Sequence, residues 1–71
     1  MNRNAIRLIL GMIDDMCRRW HMSYKELSAF SKKYHIFELL YDGEEYYESI
    51  GEDGIFDDLE SMVIKQGGRI P

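Results

Sequence analysis

Met22-Ser23-Tyr24-Lys25-Glu26-Leu27-Ser28-Ala29-Phe30-Ser31-Lys32-Lys33-Tyr34 is the stretch that decides the fold class. Ser23 and Glu26 stand three apart at the head of an apolar series, the spacing of a capping box. The serine hydroxyl accepts from the amide of Glu26, and the glutamate carboxylate accepts from the amide of Ser23. Met22 and Leu27 flank the cap at the spacing of a hydrophobic staple, and Tyr24, Leu27, Phe30 and Tyr34 recur at helical intervals. A helix is predicted over residues 23–34.

On the N-terminal side, Ile6, Ile9, Ile13, Met16 and Trp20 recur at three and four residues, and Ala5, Leu8, Met12 and Cys17 widen the stripe. Arg3, Arg7, Asp14, Asp15, Arg18 and Arg19 lie mainly off it, so a broad amphipathic helix is predicted over 3–20. Gly11 inside that helix costs roughly 1 kcal/mol relative to alanine and is expected to mark close approach of another backbone. Only His21 and Met22 separate the two helices, a link short enough to force them into a hairpin.

On the C-terminal side, Ile36, Leu39, Leu40, Gly43, Tyr47 and Ile50 predict a third helix over 36–49, continuous through Asp42-Gly43 although that pair also has turn composition. Ser49-Ile50-Gly51-Glu52-Asp53-Gly54 has the composition of a loop. A fourth helix follows over 56–66, with Leu59 and Met62 on its apolar face. Asp57, Asp58 and Glu60 sit near its positive end, Lys65 near its negative end, and Gly67-Gly68 terminate it. No run alternates over the length of a strand. The predicted architecture is all-α, one domain over 1–71 made of a small bundle of about four helices.

The chain of 71 residues is 45% hydrophobic with one tryptophan, five tyrosines and three phenylalanines. At 8.4 kDa, surface scaling gives roughly 4,600 Å² folded against about 12,000 Å² unfolded. Burial on that scale barely offsets the ordering of the chain, so self-association or a tight partner is expected. Cys17 is alone, which excludes an intramolecular disulfide. The opening residues are too charged for the core of a signal peptide and far short of a membrane span, so the cytoplasm is the expected compartment.

Charge is divided unevenly. Residues 1–35 carry seven cations and three acids, a balance of +4, whereas residues 36–71 carry two cations and ten acids, a balance of −8. Either the halves attract each other, within one fold or between protomers, or the acidic half meets a basic partner. The net charge of −4 disfavours nucleic acid, which needs cations clustered on one face.

Few residues suggest chemistry. Cys17 and His21 are four apart and His35 could supply a third ligand, yet a structural zinc site needs four. The same pair lacks an orienting third group for nucleophilic catalysis. An EF-hand register over residues 49–60 puts Gly54 at position six and Glu60 at position twelve, but Ser49 and Gly51 then occupy ligand positions. Gly67-Gly68-Arg69 leads into no helix and makes no phosphate loop. No catalytic, cofactor or metal residue is predicted. Tyr41, Glu44, Glu45, Tyr47 and Glu48 are the predicted protein-binding residues, since tyrosines supply hot-spot area and carboxylates steer a basic partner. The bland alternative is an amphipathic helix whose rings edge the core.

Ser23-Tyr24-Lys25-Glu26-Leu27, Lys32-Lys33-Tyr34-His35-Ile36, Leu39-Leu40-Tyr41 and the acidic residues 51–63 together resemble a family of short bacterial proteins of unknown function. In that family a first helix precedes a capped Ser-x-Lys-Glu helix, a Lys-Tyr-x-Val/Ile junction and an acidic C-terminal segment. The chain departs from the pattern at Asp42-Gly43. The resemblance implies a small toxin-neutralising or accessory partner of an ADP-ribosyltransferase-like protein, and it carries no residue role. Three functions are therefore expected to compete: a protein-interaction module of this antitoxin-like kind, a structural or regulatory homodimer, and a helical DNA-binding module that reads a groove with residues 24–34.

Overall fold

The computed structural model describes residues 2–71. Four helices follow in order: α1 (Arg3–Trp20), α2 (Tyr24–Tyr34), α3 (Ile36–Asp42) and α4 (Glu44–Lys65). No strand occurs among the described residues, and the all-α expectation holds. No helix among them is long and apolar enough to cross a membrane.

Local chemistry accounts for most boundaries. Asn2 caps α1, its Oδ1 accepting from the amide of Ala5 at 3.1 Å. The capping box forms as predicted, with Glu26 N–H donating to Ser23 Oγ at 3.1 Å and Ser23 N–H donating to Glu26 Oε1 at 2.9 Å. These bonds, that from the Ser23 backbone amide first, hold the Glu26 carboxyl below the usual range. α3 has no cap of its own. The buried Ser31 of α2 supplies one, its Oγ accepting from the amide of Phe37 at 2.9 Å.

Helices α1 and α2 each end on a histidine in the left-handed region, His21 at φ 53° and His35 at φ 61°. That conformation, usually glycine's or asparagine's, lets the His21 and Met22 amides return to the carbonyl of Cys17 and the His35 amide to that of Ser31. α4 ends at Gly67-Gly68 as expected, Gly67 N–H donating to Ile64 O and Gly68 N–H to Val63 O.

Two boundaries differ from expectation. The third helix was expected over 36–49, but α3 stops at Asp42. The ring of Tyr47 lies where a Cβ on residue 43 would stand, 2.9 Å away, so glycine is needed at the joint for that ring to close over the backbone. The loop expected over 49–54 is instead helical apart from one residue. Gly51, at φ 76° and ψ 170°, breaks α4 into segments 44–50 and 52–65, and the last segment begins well before residue 56. A single glycine in a region closed to L side chains turns the chain without a loop. Gly11 differs as well: nothing approaches within 4 Å of a Cβ placed there, so no neighbouring backbone requires it.

α1 packs against all three other helices, and α3 also packs against α2 and α4. Their shared core contains Met12, Met16, Trp20, Leu27, Ile36, Leu40, Tyr47, Ile55, Phe56, Leu59 and Val63. Trp20 lies at its centre, edge-on to Phe56 at 5.7 Å and tilted against Phe30 at 5.3 Å. Tyr24 leaves the apolar face predicted for it: it is 65% exposed and its hydroxyl donates to Asp14 Oδ1 at 2.5 Å.

Candidate protein-binding site

The one-residue joint between α3 and α4 brings tyrosines and carboxylates to one place. Asn2, Tyr41, Asp42, Gly43, Glu44, Glu45 and Tyr46 line a shallow depression of about 340 Å³ there. The start of α1 closes one side: the Asn2 amide donates to the Tyr41 hydroxyl at 3.0 Å, and Asn2 Nδ2 donates to Glu44 Oε1 at 3.3 Å. With Oδ1 on the Ala5 amide, Asn2 caps α1 and holds α1 to the joint.

The predicted contact residues separate into two groups. Tyr41, Glu45 and Glu48 are exposed, whereas Glu44 and Tyr47 are buried, 7% and 3% exposed. Glu44 forms part of the wall but spends one oxygen on Asn2. Tyr47 points inward, and its hydroxyl donates to Asp58 Oδ2. Burial above all, and then that hydrogen bond, push its phenol far above the usual tyrosine range, so it stays protonated. Its ring supports the exposed ring of Tyr46, with centroids 5.4 Å apart. Tyr47 therefore positions an aromatic neighbour and cannot itself offer a surface. Glu48 is exposed but stands outside the depression.

Reading the sequence missed Asn2, Asp42, Gly43 and Tyr46 as lining residues. Asn2 carried a signal, an N-cap residue immediately ahead of the first helical stripe. Asp42 and Tyr46 carried none beyond adjacency, because only the break at Gly43 turns them toward the same side.

Electrostatics favour a cation in this depression. Asp42 and Glu45 form no ion pair among the described residues; the ion pairs present are Arg18 with Asp15, Arg19 with Glu60 and His35 with Glu38. Arg19–Glu60 joins the two halves across the fold and His35–Glu38 spans only their boundary, three residues apart, so among the described residues few acids of 36–71 pair with groups of 1–35. Glu44 is buried, whereas Asp42, Glu45 and Glu48 are exposed. Glu44 and Glu45 also occupy the first turn of α4, where carboxylates complement the helix dipole.

The chain matches no protein-family profile, no curated protein and no solved structure.

The other candidate centres take structural roles. Cys17 is half-buried at the margin of the core, and burial first, then the Asp14 charge, raises its thiol pKa, the reverse of an activated nucleophile. No three His, Cys, Asp or Glu side chains converge on a point that could hold a metal ion among the described residues.

Proposed function

We propose that this chain is a small non-enzymatic protein-interaction module, antitoxin-like or accessory to another protein, acting in the cytoplasm. The depression at the α3–α4 joint receives a basic side chain of that partner. The observation that carries this reading is the juxtaposition of exposed Tyr41 and Tyr46 with unpaired Asp42 and Glu45 around one concave surface. Aromatic faces attract a guanidinium or ammonium through their quadrupole, and adjacent carboxylates supply charge-assisted hydrogen bonds. The wall is preorganised, because Tyr47 buttresses Tyr46 and Asn2 holds Tyr41 and Glu44. The outward acids of the second half extend the field that steers a basic partner to it. The partner class implied by the family resemblance is an ADP-ribosyltransferase-like protein.

Co-expression with the products of the two flanking genes, followed by association kinetics at low and high salt, tests this. A flanking product that binds should associate more slowly with Asp42→Lys/Glu45→Lys, and the salt dependence of its association should flatten. Unchanged kinetics in that variant would remove the depression as the site, and turnover of a substrate by the pure protein would overturn the non-enzymatic reading.

A further inference from the structure

The apolar arc of α1 is wider than the core it serves. Ala5, Met12, Met16 and Trp20 are buried, and Leu8, Ile9, Ile13 and Cys17 form the margin of the core. Ile6 and Leu10 belong to neither group, and Leu10 is 63% exposed. Ile6, Leu10, Ile13 and Cys17 follow one another at intervals of four, three and four, the seam of a coiled coil. Arg7 and Asp14, seven apart and both exposed, run along the edge of that seam away from the core, and neither forms an ion pair among the described residues.

We propose that this seam packs against the same seam of a second copy of the chain, the two α1 helices antiparallel about a two-fold axis that crosses between Gly11 and Met12. Leu10 then meets Ile13 of the second copy, Ile6 meets Cys17, and Arg7 lies beside Asp14 of the other chain, twice over by symmetry. The seam is self-complementary, as a two-fold interface must be. Charge selects the orientation. In a parallel pair Arg7 and Asp14 would face the opposite edge of the other seam, which is occupied by Ile9 and Met16, whereas the antiparallel pair gives each arginine a carboxylate. The Tyr24 hydroxyl already fixes Asp14 through Oδ1, leaving Oδ2 to accept from the arginine. This surface is separate from the depression at the α3–α4 joint, and the two stand or fall independently.

Sedimentation of the full chain from low micromolar to near-millimolar concentration decides the matter. A reversible monomer–dimer equilibrium is expected, and Leu10→Glu should raise its dissociation constant at least about tenfold while circular dichroism shows the helices unchanged, since Leu10 supports no core contact. Arg7→Glu alone and Asp14→Arg alone should each weaken the dimer, and Arg7→Glu/Asp14→Arg together should restore it. A monomer at every concentration overturns the proposal, as does association indifferent to Leu10→Glu. A double variant as weak as the single ones overturns the antiparallel arrangement.

Discussion

The indole Nε1–H of Trp20 donates to Glu60 Oε2 at 2.8 Å across 40 positions of sequence. The same oxygen accepts from Arg19 Nε at 2.8 Å, and Glu60 Oε1 accepts from Arg19 Nη2 at 3.3 Å, while the guanidinium lies 4.6 Å from the centre of the Phe56 ring. One carboxylate thus fastens the end of α1 to α4 and satisfies the only polar atom of a fully buried tryptophan side chain. Glu60→Ala leaves that N–H without a partner, and an expected cost of about 2 kcal/mol follows. Urea unfolding should show it as a lower midpoint at unchanged slope. An unchanged midpoint would mean that water replaces the carboxylate at no cost.

Glu60 also makes stability depend on pH. The Arg19 hydrogen bond is the main reason its carboxyl titrates below the usual range; partial burial opposes the shift, and the Trp20 bond and the arginine charge add to it. A carboxyl depressed in the folded state contributes stability that is fully present above its unfolded value of about 4.3 and is lost as pH falls through the lower folded value. Melting temperature should therefore fall as the solution is acidified below about pH 5. Glu60→Gln should flatten part of that fall, and parallel acid limbs in the two proteins would contradict the assignment.

Gly11 and Gly51 should respond to alanine with opposite signs. Gly11 sits in regular helix with open space around it, so Gly11→Ala is expected to stabilise by about 0.5–1 kcal/mol. Gly51 also has open space but holds φ 76° and ψ 170°, and Gly51→Ala is expected to cost about 2 kcal/mol through backbone strain alone. Paired thermal melts check both, and equal effects would show that the kink in α4 is not fixed by the glycine.

His21 holds a left-handed conformation whose value to the fold lies in its backbone. His21→Gly is expected to raise stability by up to about 1 kcal/mol, relief of the side-chain clash outweighing the added freedom of the unfolded chain. Denaturant titration reads the sign directly, and a loss would reveal a role for the imidazole.

Much of this fold could be read along the chain, because its determinants are local. Ser23 and Glu26 spell out their own reciprocal bonds, and the three-and-four spacing of Ile9, Ile13, Met16 and Trp20 finds the inner side of α1. What was not legible depends on where helices turn. Gly51-Glu52-Asp53-Gly54 has loop composition, yet one dihedral pair at Gly51 makes the turn. The break at Gly43 likewise decides which acids face outward: it sends Tyr47 to Asp58, eleven residues away, and Glu44 to Asn2, forty-two away. Asn2 is marked in the sequence only as an N-cap and Asp58 only as an acid near a helix start, neither as the partner of these side chains, so the acidic and aromatic run was visible while its exposed subset was not.

Amide chemical-shift perturbation with a blocked tetra-arginine peptide reports directly on whether the α3–α4 joint accepts a basic side chain. Saturable shifts are expected at Tyr41, Asp42, Gly43, Glu45 and Tyr46, weakened by salt and abolished in Asp42→Lys/Glu45→Lys. Shifts spread evenly over the acidic residues of α4, or a joint that stays silent while other surfaces respond, would contradict it.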